Sequence, residues 1–253
     1  MRDKPRFLQY ALGAWEMLSD LRIPGTVPGV PCAKSLVFFP LWGVLCGALC
    51  ALIGLLAALL TNRLAGAMLF AAAALMFMLT KDSGRGADSL GALAINRRNF
   101  GSFGAALEHT AGNRGGADDP ARLIARVIFS VGEFALLLLL GMYRSRWFLM
   151  FVFAGGFTVQ GALAVEFGIV KDPDRASLRT MWIAFSTFGI LSFLFFPVAT
   201  VIGAVAVYAL AVGSLRFVFT HVKAPGADLA TMGGALAELA LLLAGFFWTI
   251  KLN

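Results

Sequence analysis

Charge is what this sequence has least of. Asp, Glu, Lys and Arg make up 14% of its 253 residues, against about a quarter in an ordinary soluble domain, which excludes a water-soluble globular fold. Cysteine is also scarce. Cys32, Cys46 and Cys50 offer neither a disulfide framework nor a zinc-ligand spacing. Cys46 and Cys50 stand one helical turn apart in an apolar run and read as packing residues. The two histidines, His109 and His221, are too far apart in sequence to suggest a ligand pair. Near the N-terminus Glu16, Asp20 and Arg22 interrupt the first apolar stretch, so no cleavable signal peptide is expected. No internal repeat is visible, which argues against a transporter built from two related halves.

What the chain does have is apolar residues. They account for 59% of the total and include 23 phenylalanines, the composition of an integral membrane protein. The formal charge of +7 then reports topology and contact with anionic lipid rather than nucleic acid.

Hydropathy and length predict seven membrane spans: Val37–Leu60, a short Leu64–Leu79, Val127–Met142, Trp147–Val170, Met181–Pro197, Ala199–Phe219 and Leu229–Ile250. Pro197 marks the turn between the fifth and sixth. Ahead of them, residues 6–23 place apolar side chains at helical spacing between charges, the pattern of a helix lying in the interface. GTVPGVP at 25–31 breaks it. The expected fold is therefore all-α. It is a single polytopic bundle over 1–253, with an N-terminal interfacial segment (1–35) and a large cytoplasmic loop (80–126). If the N-terminus is cytoplasmic and the spans alternate, all but Arg63, Arg144, Arg146 and Lys251 of the 21 Lys and Arg fall inside. No acid falls outside. That is a strong positive-inside bias, and it points any chemistry toward the cytoplasmic side of an inner membrane.

The one long polar stretch is Thr80 to Gly116, which carries Lys81, Asp82, Arg85, Asp88, Arg97, Arg98, Glu108 and Arg114 among eight glycines. Carboxylates are the oxygen ligands Mg2+ accepts, usually one or two of them with substrate phosphates completing the shell. Glycines let backbone N–H groups approach an anion, and arginines bind diphosphate in bidentate fashion. The plainer alternative is a loop whose charges meet lipid headgroups. Three glutamates fall inside expected spans: Glu133, Glu166 and Glu238. An ionisable group within the bilayer is a functional candidate by default. Glu133 and Glu166 are shallow enough to snorkel or to pair with Arg126 and Lys171, a structural role. Glu238, ten residues past Asp228 and roughly 15 Å along a helix, is deeper and reads as functional. Gln160, mid-span among small residues, suits an interhelical hydrogen bond.

Several motifs resemble the cobalamin synthase family, the membrane-embedded adenosylcobinamide-GDP ribazoletransferases, over nearly the whole chain. Arg22-Ile23-Pro24 is similar to its R-[IL]-P turn, and Phe39-Pro40-Leu41-Trp42-Gly43-Val44-Leu45-Cys46-Gly47 to its F-P-x-x-G-x-x-x-G motif. Near the C-terminus Asp228 and Glu238 keep the spacing of the family's Asp and last Glu, with Ala235 where a second glutamate is usual. The central aspartate motif departs from the family. Ala87-Asp88 matches its A-D pair, Asp82 aligns with the first aspartate only across a two-residue insertion, and Gly91 replaces the third. The D-S-R-x-G-x-x-G signature becomes Glu108-His109-Thr110-Ala111-Gly112-Asn113-Arg114-Gly115. A later arginine becomes Gln160.

The resemblance implies a reaction joining alpha-ribazole, or its 5'-phosphate, to a GDP-activated corrinoid with release of GMP and a requirement for Mg2+. Asp82 and Asp88 would then hold metal. Arg85 and Arg114, with Gly112, Asn113, Gly115 and Asp228, would bind substrate, and Glu108 or Glu238 would serve as base. Two other readings stand beside it. One is a CDP-alcohol phosphotransferase-like lipid enzyme, against which counts the absence of a D-G-x-x-A-R signature. The other is a degenerate relative acting as a membrane scaffold or binding protein, which the altered motif favours. Gly43, Gly47 and Ala51 permit close packing within the chain or between copies, which leaves a homo-oligomer open.

Overall fold

The computed structural model describes residues 7–18, 33–80, 85–112, 120–143, 146–166 and 227–252, with scattered positions between 183 and 214. No strand occurs among the described residues. The helices are α1 (Phe7–Leu18), α2 (Phe39–Leu60), α3 (Arg63–Thr80), α4 (Arg85–Asn99), α5 (Phe103–Gly112), α6 (Pro120–Met142), α7 (Phe148–Glu166) and α8 (Ala227–Leu252). A 3-10 turn, Ala33–Phe38, leads into α2, and Pro40 sits in the first turn, where its missing N–H costs nothing. Four described helical segments are long and apolar enough to cross a membrane: Lys34–Leu60, Arg63–Thr80, Leu123–Met142 and Leu229–Phe247. In α7 the apolar run is the shorter Phe148–Ala164. The fold is all-α, and these helices mark a membrane protein. The expected fifth and sixth spans lie mainly outside the described residues.

The bundle is built around α7, whose residues from Phe148 to Leu163 are all buried. Lipid tails are as apolar as leucine, so helices in a bilayer associate through close packing and polar contacts rather than hydrophobic burial. The register shows how this is done. On the α2 side Gly43 lies against the backbone of Ala154 and Gly47 against that of Met150, while Leu36 and Phe39 cover Gly161. Rising numbers on one helix meet falling numbers on the other, so α2 and α7 are antiparallel. The F-P-x-x-G-x-x-x-G stretch thus has a packing explanation: its two glycines set the distance between these helices.

On the opposite side α8 also runs antiparallel to α7, with Gly234 at Gln160, Glu238 at Gly156 and Gly245 at Phe148. Helix α3 turns back on α2, with Gly66 against Ala58 and Phe70 against Gly54, and α6 packs on α3 where Gly141 meets Ala67 and Phe70. Aromatic contacts tie in the N-terminus. The Trp42 indole N–H donates to the Ala11 carbonyl at 2.9 Å. Trp15 lies 4.9 Å from Trp42 between ring centroids and 6.1 Å from Phe77, and Phe77 lies 5.4 Å from Phe153. The exposed side chains of the spans are largely apolar, including Leu45, Leu49, Leu56, Met76 and Ile128, as a lipid-facing belt requires.

One expectation is corrected. Much of the polar segment at 80–126 is not loop: 85–99 and 103–112 are helices joined by a short turn, and α6 begins at Pro120. The local chemistry suits helices. Asp88 stands in the first turn of α4 and Arg97 and Arg98 in its last, complementing the helix dipole at both ends. The Ser102 hydroxyl accepts the Ala105 N–H at 3.2 Å, an N-cap for α5. The Asn96 amide donates to Thr110 at 2.9 Å, and Phe100 packs 4.7 Å from His109, so the two helices close as a hairpin.

Candidate functional site

The site is the junction where α4 meets α6, α8 and, through α8, α7. Gly86 brings α4 against α8. A methyl group there would come within 2.9 Å of both the Thr231 carbonyl oxygen and Ala235 Cβ. This contact accounts for the alanine at 235. A glutamate at that position would push α4 off the bundle.

One half-turn beyond Gly86, the Asp88 carboxylate forms an ion pair with Arg126 of α6 at 2.9 Å. Both side chains are about one-third exposed, so the pair is reachable from the surface of the bundle. A pair this exposed contributes no more than about 1 kcal/mol to stability. Arg126 therefore faces Asp88, a partner the sequence did not suggest. Nor does Glu133 snorkel outward, since it is buried. It lies seven residues further along α6 than Arg126, about 10 Å deeper by helical rise.

Glu238 is buried as well, at 3% exposure. It stands seven residues past Thr231, again about 10 Å below the level of the α4 contact. Its carboxylate fills the space over Gly156, where an added Cβ would overlap Cγ and Oε1. One turn away the Gln160 side chain occupies the space over Gly234, whose added Cβ would meet Gln160 Oε1 at 3.1 Å. The arrangement is reciprocal: Gly156 and Gln160 on α7 interlock with Gly234 and Glu238 on α8, each polar side chain seated over a glycine of the other helix. Thr231, at the α4 contact, and Ser89 on α4 add buried hydroxyls to the junction.

The remaining expected residues distribute as follows. Glu108 is exposed on α5, a helix that packs chiefly on α4, and Gly112 ends α5. Arg85 opens α4 and Asp228 lies in the first turn of α8. Asp82, Asn113, Arg114 and Gly115 lie outside the described residues. Sequence reasoning missed Arg126, Ser89 and Thr231 as site members. Only Arg126 carried a signal, as a basic residue near the mouth of an apolar span.

Among the described residues no three His, Cys, Asp or Glu side chains converge on a metal position. An all-protein cage is not what Mg2+ asks for, however. It binds through one or two carboxylates and keeps the rest of its shell for water and phosphate. Asp88, anionic and partly exposed, fits that donor set, and Arg126 beside it fits phosphate oxygens. No family model, curated protein or solved structure matches this chain.

Proposed function

We propose that the chain is a membrane-embedded, Mg2+-dependent transferase that joins alpha-ribazole or its 5'-phosphate to a GDP-activated corrinoid and releases GMP. The observation that carries the reading is the layered junction: an accessible Asp88–Arg126 pair at its mouth and two buried acids, Glu133 and Glu238, beneath it. Burying an ionised side chain at mid-bilayer depth costs roughly 2.5–3.5 kcal/mol on insertion scales. Two such groups under one polar mouth favour a reaction centre over a packing role.

In this reading Arg126 joins Arg85 and Arg114 in holding the substrate diphosphate, and Asp88 holds the metal, with Asp82 as its expected second ligand. Mg2+, when bound, would neutralise charge on the diphosphate and on the departing GMP. The attacking oxygen of the ribazole forms a new bond to the corrinoid-side phosphorus. The bond from that phosphorus to the GMP oxygen breaks in line. Glu108 and Glu238 are the candidate bases for the attacking hydroxyl: Glu108 is exposed on the outer helix of the hairpin, and Glu238, buried beneath the mouth, serves if the ribazole hydroxyl reaches down into the α7–α8 seam. The active side is the cytoplasmic face of the inner membrane.

The test is to incubate purified protein with Mg2+, GDP-activated cobinamide and alpha-ribazole, following cobamide and GMP. Product that disappears with EDTA is expected. A folded protein that yields none, beside an active conventional ribazoletransferase, overturns the proposal. Turnover of a nucleotide-activated lipid instead would establish the lipid-enzyme alternative.

A further inference from the structure

At the opposite end of the bundle α2 ends, α3 begins, α6 ends and α7 begins. Here a cavity of about 430 Å³ is lined by Leu55, Ala58, Leu59, Arg63, Arg146 and Trp147. Its polar part is built rather than incidental. Arg146 is only 8% exposed, and its guanidinium donates to the Gly54 carbonyl at 3.1 Å and to the Gly141 carbonyl at 3.2 Å. Arg63 donates to the Met142 carbonyl. The Gly141 and Met142 carbonyls hold the two cationic heads at the C-terminus of α6, where positive charge is favoured, and the Gly54 carbonyl adds a contact to α2; none of the three brings a formal negative charge. No Asp or Glu occurs anywhere between Asp20 and Asp82, or between Glu133 and Glu166, the stretches that supply every lining residue. The rest of the cavity is apolar and opens to the bilayer side, with Leu55 39% and Leu59 73% exposed. Trp147, 44% exposed, is the side chain that membrane–water interfaces favour.

We infer that this groove binds an anionic phospholipid of the surrounding bilayer. The phosphodiester would sit between Arg63 and Arg146, and an acyl chain would lie along Leu55 and Leu59. The charge pattern supports this occupant. Only four basic residues break the expected positive-inside bias, and two of them line this single groove. An arginine guanidinium suits a phosphodiester, whose oxygens its planar fork of donors can bind in pairs. The inference rests on the membrane reading of the fold and not on the transferase proposal.

The experiment uses the full chain in neutral detergent. Phosphatidylglycerol, phosphatidylcholine and inorganic phosphate serve as probes, followed by thermal unfolding midpoint and by native mass spectrometry. Phosphatidylglycerol should raise the midpoint and remain bound, while phosphatidylcholine at equal concentration does neither. Arg63→Glu should weaken phosphatidylglycerol binding about tenfold, since each basic residue near an anionic headgroup carries a sizeable share of the attraction. Leu59→Glu leaves both arginines in place and puts an acid on the acyl floor, so it should weaken the same lipid even if Arg63→Glu does not fold. Equal retention of the two lipids, or unchanged binding in the variants, overturns the site. Inorganic phosphate matching the lipid's stabilisation at equal concentration also overturns it, by showing a soluble-anion site instead.

Discussion

Helix α7 is held between two partners, and its two seams use glycine in opposite ways. Toward α2, Gly43 and Gly47 meet the backbone of Ala154 and Met150. Neither side can retreat, so these glycines fix an interaxial distance. Toward α8, Gly156 and Gly234 meet chiefly side chains, Glu238 and Gln160, with the Gly156 carbonyl 3.3 Å from a Cβ added at Gly234. Those side chains can move, so here the glycines make room for polar groups. The first seam is what a lipid-embedded bundle needs for stability. The second gives away stability, because leucine in place of Glu238 would pack without a desolvation cost. A seam that holds an acid at such a cost is where function is to be sought.

The largest effect should come from filling the structural seam. Gly47→Leu sets a Cβ 2.5 Å from Met150 Cα and forces α2 away from α7. Overpacking of this kind costs about 1–3 kcal/mol or more, and the unfolding midpoint in detergent should fall steeply. Gly156→Ala runs first into the Glu238 side chain, at Cγ and the carboxylate. Its midpoint should fall less than that of Gly47→Leu, while transferase turnover drops about tenfold from the misplaced acid. If the two variants lost stability equally, the distinction between the seams would collapse. The smallest change in stability belongs to Asp88→Asn, within about 1 kcal/mol because the Arg126 pair is partly exposed. Its effect should appear in the Mg2+ dependence of turnover, shifted to higher metal concentration. Wild-type dependence in that variant would remove Asp88 from the metal site.

The bounds of the first two spans were legible because hydropathy reports them directly, whereas α6 begins at Pro120, seven residues ahead of the expected Val127. Phe39–Leu60 and Arg63–Thr80 fall within two residues of expectation. The α4–α5 hairpin was not, because glycines and charges mask helices whose main support is packing on α6 and α8. Its dipole signals, Asp88 at one end and Arg97 and Arg98 at the other, were nonetheless present. Glu133 and Glu238 could be singled out as acids in apolar runs. Their burial and surroundings could not be, since the interlock pairs Gly156 with Glu238 and Gln160 with Gly234, positions far apart in the chain. The only trace was a glycine four residues before each polar side chain, a spacing that means nothing until the helices are paired. The pairing of Arg126 with Asp88 was not legible either, since it depends on how α4 packs on α6.

The central claim is that Glu238 is retained for chemistry and not for packing. Glu238→Gln keeps the shape of the side chain over Gly156 and removes its charge and basicity. Purified beside wild type, it should unfold at an equal or higher midpoint while forming cobamide about a hundredfold more slowly, the scale of a lost general base. A lower midpoint with undiminished turnover would contradict the account and make the polar seam a structural one.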